Sequence, residues 1–443
     1  MSQTNQKSNG RLIAIITMFF IFAMISFVTN MAAPFGNIWG FKYEWAGMAG
    51  NLMNFAAYLF MGIPAGNMLI RYGYKKTALI ALAVGAIGLG IQLLSSVVGA
   101  DVIVINGDTP TTLNLFIYLL GALVCGFCVC MLNTVVNPML NLLGGGGNKG
   151  NQLIQVGGTL NSLSATLTPM FVGVLVGTLT KETSMTAVTP LVVTGIVIFV
   201  LAFIIISFIK IVEPQANLNK VTYERSPLAF RHCTLGIVAI FFYVGIEVGI
   251  PGELNIWISR ENFVGAAAVA GSLAAIYWLL MLVGRFCSSI ISGKVSSRAQ
   301  ILTVSTVALL LVLTAILLPE KYTFTLPEIK FLNITSGKVP MKCLFLILCG
   351  LCTSVMWGGI FNLATEGLGK YTAKASGLFM TMVVGGGIMP FIQDYIGRTV
   401  GYVASYWLVF AMLAYIFVYS LVGYKNVNKD IPVEYYDSTT FII

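Results

Sequence analysis

The sequence is poor in charge and nearly without histidine. Only 9% of its 443 residues are Asp, Glu, Lys or Arg, and His232 is the single histidine, whereas soluble domains carry roughly 25% charged residues. This shortage excludes an ordinary soluble protein, and one histidine leaves little for a His-based metal or catalytic site. We find neither a nucleophile paired with a base nor a set of metal ligands. The composition therefore argues against an enzyme and implies no cofactor.

Apolar residues take the place of the missing charge. They make up 57% of the chain, and the mean hydropathy is +0.89. Stretches near the roughly 20 residues that a helix needs to cross about 30 Å of hydrocarbon recur along the sequence. We predict an all-α integral membrane protein with twelve membrane-spanning helices in contact with the lipid bilayer. The predicted segments are residues 12–35, 46–70, 77–98, 113–143, 153–179, 190–212, 234–258, 265–291, 299–318, 341–364, 375–397 and 401–424.

Basic residues are distributed unevenly over the connections between these segments. Most of the 25 Lys and Arg residues fall on the side of the membrane that also holds the N-terminus. Since basic connections tend to stay inside, we expect both termini in the cytoplasm and a location in an inner or plasma membrane. The topology accounts for the formal net charge of +9, so the charge implies no nucleic-acid partner.

Two local motifs resemble functional sites but favour simpler interpretations. "CGFCVC" and "CGLC" have metal-like cysteine spacing, yet both lie in apolar segments without His or carboxylate neighbours, so we expect buried packing. "GGGGNKG", residues 144–150, lacks the Lys-Ser/Thr ending of a phosphate-binding loop. We expect it to be a flexible inner loop.

A polar break at residues 213–233 divides the predicted helices into two sets of six. Features recur across it at a spacing of about 220 residues: a polar residue four before a proline in segments 1 and 7, a proline in segments 5 and 11, and a glycine turn after segments 2 and 8. We therefore predict two pseudo-symmetric bundles, residues 1–212 and 234–424, a cytoplasmic linker at 213–233 and a tail at 425–443. This organisation is typical of transporters with a midplane site.

The turn after the second segment, "GNMLIRYGYKK", resembles the signature loop of the major facilitator superfamily. The matching residues are Gly66, Arg71, Gly73, Lys75 and Lys76, while Ile70 stands where an acidic residue is usual. Gly66 permits close helix packing, Gly73 permits a tight turn, and the cations can cap helix carboxyl ends. The alternative is an ordinary basic connection with a chance glycine.

Longer stretches resemble the fucose permease and glucose/galactose transporter family. They are "LNTVVNPMLNLLG", "YVGIEVGIPGELN", "GRFCSSIIS" and "MWGGIFNLATEGLGKYTAKASGLFMTMVVGGGIMPFIQD". The resemblance implies the major facilitator fold and a sugar carrier, commonly coupled to protons or sodium. Two departures stand out: Asn133 occupies the place of a glutamate of fucose permeases, and residues 12–35 contain no acid.

Glu247 is the expected ion-coupling residue. Its position in "YVGIEVGI" matches the glucose/galactose branch, and an ionised carboxylate near the bilayer centre is costly enough to be kept mainly for function. Pro251 lacks an N–H, so the carbonyl of Glu247 loses its helical donor. The alternative is a neutral Glu247 that only holds helices together. Glu253, closer to the outer surface, is expected to be solvated, and the alternative is that it contributes to the site.

Neutral polar and aromatic side chains are the expected sugar ligands. The candidates are Asn133, Asn137, Asn161, Asn362, Trp278 and Trp357. Asparagine in membrane helices also serves as interhelical contact, which is the alternative for each amide. Asp394 and Arg398, four residues apart, should form a surface ion pair.

The sequence thus favours a monomeric importer of a neutral, hexose-like monosaccharide, coupled to H⁺ or Na⁺ and working by alternating access. Three alternatives remain open. Transport could be uncoupled, because the membrane contains no second central acid. The substrate could be an amino sugar or an anionic sugar such as sialic acid, although the only nearby cation, Arg285, is expected near an inner helix end. A non-transporting sensor would need a folded soluble domain, for which the linker and tail are too short.

Overall fold

The computed structural model describes residues 2–43, 46, 49–106, 110–176, 185–211, 221, 223–330 and 334–434. This part of the chain is almost wholly helical, as expected where lipid offers no partner for backbone N–H and C=O groups. The helices are α1 (Ser2–Lys42), α2 (Ala49–Leu94), α3 (Leu113–Leu143), α4 (Gly147–Val176), α5 (Thr189–Phe208), α6 (Arg231–Ser259), α7 (Ala266–Ile291), α8 (Ser297–Leu317), α9 (Lys342–Thr365), α10 (Thr372–Thr381), α11 (Gly385–Thr399) and α12 (Tyr402–Val418).

The twelve predicted segments coincide with helical residues over most of their lengths. Residues 47–48, 177–179 and 212 lie outside the described residues, and ends such as 95–98 and 209–211 are not helical. Ten helices in the described ranges are long and apolar enough to cross a membrane. One of them, α2, is 46 residues long and contains two predicted segments, because Gly73 breaks it with φ 81° and ψ 175°. This left-handed backbone favours glycine, and the chain reverses there. Residues of a 3₁₀ turn, Met382–Val384, join α10 to α11 within a single predicted segment.

Two antiparallel hairpins mark one end of the molecule. β1 (Ile103–Ile105) pairs with β2 (Thr111–Thr112), and β3 (Thr323–Leu326) pairs with β4 (Gly337–Pro340). We call this the loop end. The opposite end carries the turn at Gly73, the turn between α3 and α4 and the chain between α5 and α6, and we call it the linker end.

Two expectations about connections need correction, and the structure also describes part of the tail. Residues 144–150 are not a flexible loop, because α4 begins at Gly147 and the turn before it is only Gly144 to Gly146. The connection between α5 and α6 lies at residues 209–230 instead of 213–233, since α5 ends at Phe208 and α6 begins at Arg231; residues 212–220 and 222 lie outside the described residues. The tail is partly ordered: the backbone N–H of Lys370 donates to the carbonyl of Val433 at 3.1 Å. Residues 435–443 lie outside the described ranges.

The cysteines are packed as predicted. Seven of the eight are buried and none forms a disulfide, while Cys287 on α7 is exposed. The described residues contain no group of three or more His, Cys, Asp or Glu side chains that could hold a metal ion. Burial among apolar side chains explains these residues.

The helices before the linker, α1 to α5, form the first helix set in chain order, and α6 to α12 form the second. The closest approach between the sets joins α2 to α10. A Cβ atom built at Gly377 would lie 2.6 Å from the carbonyl oxygen of Gly62 and 2.8 Å from the Cα of Gly66. Only glycine at this crossing allows the backbones to meet. Gly66, the first residue of the signature loop, is therefore a contact between the sets.

Candidate functional site

An ion pair lies in the interior, between the two helix sets. Glu247, near the middle of α6, accepts a hydrogen bond from Nη2 of Arg285 on α7 at 2.9 Å, and the side chains are only 14% and 13% exposed. The expectation that no cation faces the interior, because Arg285 lies near an inner helix end, needs correction. Its Cα is near the linker end of α7, but the long side chain reaches the middle of α6. A lone buried carboxylate would be costly, and Arg285 offsets that cost.

Arg285 also crosses to the first helix set. Its Nη1 donates to Oγ of Ser162 on α4 at 2.6 Å. A Cβ atom at Gly158, one turn earlier on α4, would lie 3.6 Å from Cδ of Arg285, so the absence of a side chain at Gly158 leaves room for the arginine stem. One guanidinium therefore joins an acid of the second set to a hydroxyl of the first.

Tyr243 and Trp357 extend this group. Tyr243 lies one turn before Glu247 on α6 and is fully buried. Its hydroxyl lies near Glu247 and Arg285 but forms no hydrogen bond within the described residues. Its ring centroid is 6.2 Å from that of Trp357 on α9. We refer to Ser162, Tyr243, Glu247 and Arg285 as the central polar cluster.

Below the central polar cluster, toward the linker end, amides join α3 to α9. Nε1 of Trp357 donates to Oδ1 of Asn137 at 3.0 Å, and Nδ2 of Asn141 donates to Oδ1 of Asn362 at 2.7 Å. Asn362 in turn donates to Oγ of Ser297 at 2.8 Å. The bonded pairs are 220 and 221 residues apart in the chain, close to the spacing of the sequence repeat.

Backbone carbonyls complete the same contact surface. Pro138 has no N–H to give to the carbonyl of Thr134, and Oγ of Ser376 on α10 donates to that carbonyl at 3.1 Å. Nε2 of Gln155 donates to the carbonyl of Val355 at 3.0 Å, and Nε2 of Gln152 donates to the carbonyl of Ser289 at 3.1 Å. We call these three hydrogen bonds, together with the Trp357–Asn137 and Asn141–Asn362 hydrogen bonds, the linker-end contacts.

The loop end has fewer polar contacts between the sets in the described part of the chain. All the hydrogen bonds that join the two sets in the described ranges belong to the linker-end contacts or to the bond between Arg285 and Ser162. Trp278 is 44% exposed and lies seven residues, or about two turns, before Arg285 on the same face of α7. A Cβ atom at Gly271, a further seven residues along, would meet nothing within 4 Å. Hydrogen bonds between the sets thus lie at the linker end and at Arg285 in the described residues, while nearer the loop end Leu52 and Phe55 of α2 lie against Gly386 and Gly387 of α11.

The remaining predicted ligands occupy the walls of this interior. Asn133 is nearly buried and donates from Nδ2 to the hydroxyl of Tyr58 at 2.9 Å. Asn161 donates to the carbonyl of Phe22 at 2.9 Å and so ties α4 to α1. In this conformation Asn137, Asn362 and Trp357 are engaged in linker-end contacts. Of the six predicted ligands, Trp278 is the one with a large exposed surface.

Ser162, Tyr243 and Arg285 belong to the central polar cluster but are not among the residues that the sequence predicted for the site. On α4 the positions Asn151, Gln155, Gly158 and Ser162 recur at the three- and four-residue spacing of one helix face, and that face meets the second set. This polar periodicity was a readable signal for Ser162. The signal for Arg285 was its occurrence inside an apolar segment, where a charge is costly.

The expectation that Glu253 is solvated also needs correction, because the structure buries this side chain. Its exposed fraction is 3%. Asp394 and Arg398 do form the expected ion pair, with Nη2 and Oδ2 2.6 Å apart and Arg398 56% exposed.

The signature-loop residues lie at the linker end around the turn of α2. Nζ of Lys75 donates to the carbonyls of Ser207 and Ile209 at 2.8 and 2.7 Å, which caps the carboxyl end of α5. The guanidinium of Arg71 lies 5.3 Å from the ring centroid of Tyr72. Lys76 is exposed at the start of the second limb of α2.

Comparison with known proteins places this geometry among transporters. A family model described as Major Facilitator Superfamily matches residues 13–390. A glucose/galactose transporter of Brucella abortus biovar 1 is 26% identical over 436 residues, which are 96% of this chain and 96% of that protein. The E. coli fucose:proton symporter FucP has a TM-score of 0.74 at 17% identity, with 92% of this chain and 98% of its own chain covered. The proton:xylose symporter XylE has a TM-score of 0.66 at 10% identity, with 93% and 95% covered.

Proposed function

Because the chain belongs to the Major Facilitator Superfamily, a family of transporters and not of enzymes, we propose that it carries a neutral hexose-like sugar across the membrane by alternating access. Support for the substrate class comes from the glucose/galactose transporter that matches 96% of this chain. The interior supplies what a sugar requires, namely neutral amides such as Asn133 and Asn161 and the exposed indole face of Trp278. The carrier is proposed to be a monomer of an inner or plasma membrane with both termini in the cytoplasm.

The bridge from Glu247 through Arg285 to Ser162 is the observation that carries this proposal. It lies between the helix sets, on the loop-end side of the linker-end contacts, and it brings together a buried carboxylate and a buried guanidinium. In the proposed cycle the sugar enters from the loop end. The two sets, residues 1–212 and 234–424, then close over it, the linker-end contacts break, and the sugar leaves at the linker end.

We assign the coupling of sugar transport to a proton or sodium ion to Glu247. A cation that binds to the carboxylate competes with Arg285, so the bridge to Ser162 is no longer held in its present geometry. Protonation would have the same effect, because a neutral carboxyl attracts the guanidinium less. Either ion therefore links occupancy of Glu247 to the contact between the sets, and the freed donors of Arg285 are then available to sugar hydroxyl groups.

Uptake by proteoliposomes tests the proposal. Radiolabelled glucose, galactose and fucose should accumulate under an imposed inward proton or sodium gradient. Glu247→Gln should abolish accumulation while sugar counterflow persists. The matched control is Glu261→Gln, because Glu261 is an acid of the loop end whose Oε1 accepts from Nε1 of Trp257 at 3.0 Å. If Glu247→Gln accumulates sugar as well as the unaltered protein, the role of Glu247 is wrong. If counterflow persists but neither gradient concentrates sugar in the unaltered protein, transport is uncoupled.

One observation favours a second substrate class. Arg285 is a cation inside the site, which an acidic sugar would need for its carboxylate. Glu247 already neutralises this charge, so a neutral sugar fits better while the pair is intact. Competition separates the two classes: glucuronate or sialic acid should fail to inhibit glucose uptake if the substrate is neutral, and should inhibit more strongly than glucose if Arg285 binds a carboxylate.

A further inference from the structure

A second acid is buried where α6 packs along α11. The two helices run side by side with glycine opposite a larger residue at successive turns. A Cβ atom at Gly249 would meet Oε1 of Gln393, and one at Gly397 would meet Oε1 of Glu253. Each helix thus receives a polar side chain of the other. We call Glu253, Gln393 and the two glycines the α6–α11 seam.

Three polar atoms of the seam lack a hydrogen-bond partner. Oε1 of Glu253 has no hydrogen-bond partner, and neither does Oε1 or Nε2 of Gln393. Glu253 is 3% exposed and Gln393 is 0% exposed, so water does not solvate them freely. Buried polar groups are nearly always bonded, and this clustering of exceptions marks a place where a ligand or a proton belongs.

The charged neighbours do not neutralise an ionised Glu253. Arg260, just after α6, donates from Nη1 to the hydroxyl of Tyr402 at 2.6 Å. Arg398, on α11, pairs with Asp394, and Asp394 itself adds negative charge next to Glu253. None of the salt bridges in the described residues includes Glu253. A buried carboxylate beside a second carboxylate and without a bonded cation is strongly disfavoured.

Two hydroxyl groups on α12 also favour a protonated Glu253, because both already donate their protons to backbone carbonyls. Ser405 lies beside Glu253, and its Oγ donates to the carbonyl of Tyr402 at 2.7 Å. Tyr406 likewise donates to the carbonyl of Ile250 at 3.2 Å. With its proton given away, the Ser405 oxygen can only accept, so a bond to Glu253 requires the carboxyl to be the donor.

We propose that Glu253 is a second proton-binding site, occupied by a proton in this conformation, with Ser405 as acceptor of the acid O–H and Gln393 as its polar neighbour. The site is separate from the central polar cluster and lies nearer the loop end. Movement of α11 against α6 would expose the carboxyl to the surface pair Asp394 and Arg398, and so let the proton exchange. This inference does not require that Glu247 couple transport.

Infrared spectroscopy of the purified, reconstituted full-length protein tests the proposal directly. At neutral pH the spectrum should contain the C=O stretching band of a buried protonated carboxyl group, shifted in D₂O, that Glu253→Gln removes and Glu261→Gln leaves intact. Identical bands in all three proteins would overturn the proposal. So would a carboxylate band that depends on added NaCl and disappears in Glu253→Gln, because Glu253 would then bind sodium.

A measurement on the unaltered chain covers the case in which Glu253→Gln fails to fold. Dicyclohexylcarbodiimide modifies protonated carboxyl groups in apolar surroundings, and mass spectrometry locates the adduct. Modification should occur at Glu253 and not at Glu261 or Asp394. Absence of an adduct at Glu253, with a reactive buried acid in a reference protein as positive control, would contradict a protonated Glu253. Sugar uptake enters neither measurement, so its failure would not affect them.

Discussion

A single added methyl group at Gly377 should open the linker end. In the closed arrangement the Cβ atom of Gly377→Ala would lie 2.6 Å from the Gly62 carbonyl oxygen, 2.8 Å from the Gly66 Cα and 3.0 Å from the Gly66 nitrogen. These are backbone atoms, which cannot rotate away as the end of a side chain can. Overpacking of this kind costs about 1–3 kcal/mol. This overpacking raises the free energy of the conformation in which α2 and α10 touch. It does not affect the conformation in which the two sets are separated at the linker end.

The equilibrium should therefore shift toward the linker-open conformation by a factor of about 5 to 150. Spin labels on Lys149→Cys and Lys294→Cys, two exposed positions at the linker end on opposite helix sets, report the separation by double electron–electron resonance. The exposed Cys287 is first changed to serine. Gly90→Ala is the matched control, because a Cβ atom at Gly90 on α2 would meet nothing within 4 Å.

The expected result is a larger population at long distance in Gly377→Ala than in Gly90→Ala. If a well-folded Gly377→Ala gave the same distance distribution as the control, the contact at Gly62 and Gly66 would not hold the linker end closed. The assignment of Gly66 to closure would then be wrong as well.

Two further predictions concern bonds between side chains. Arg285→Gln should destabilise the protein by about 3–5 kcal/mol, since it leaves Glu247 buried without its cation, and Glu247→Gln/Arg285→Gln should recover part of the loss. Thermal unfolding in detergent measures both, and a double variant no more stable than Arg285→Gln would argue against the pair. Asn141→Ala and Asn362→Ala should each weaken linker-end closure by about 0.6–1.7 kcal/mol, and the double variant should weaken it little further because one shared bond is lost. Additive shifts of the spin-label distances would show that the two residues act separately.

The predicted family and fold class are confirmed, and the reasons are local. The length of each apolar stretch predicts where a membrane helix lies, and the predicted segment 113–143, for example, coincides with α3. Glycine marks the reversals and close contacts, as at Gly73 and Gly66. Each of these features depends on a few residues that are neighbours in the sequence, so it can be predicted without knowing which helices pack together.

The site was less predictable because it depends on which helices meet. Sequence placed Glu247 in a membrane helix but could not show that Arg285 on α7 reaches it. Glu253 was expected in water because no local signal pairs it with Gly397, a residue far along the chain that makes room for its carboxyl. The roles proposed for Asn133, Asn137, Asn161, Asn362, Trp278 and Trp357 in sugar binding remain predictions.

Arg285 also determines which step of a coupled cycle would respond to membrane voltage. With Glu247 ionised, the pair has no net charge, so an empty carrier could reorient without doing electrical work at this site. With a proton or sodium ion on Glu247, the same site carries one positive charge, and moving one charge through 100 mV is worth about 2.3 kcal/mol. A negative interior would then drive the loaded inward step and leave the empty return unaffected. Without Arg285 the order would be reversed: the returning carrier would bear the charge, and voltage would act on its return.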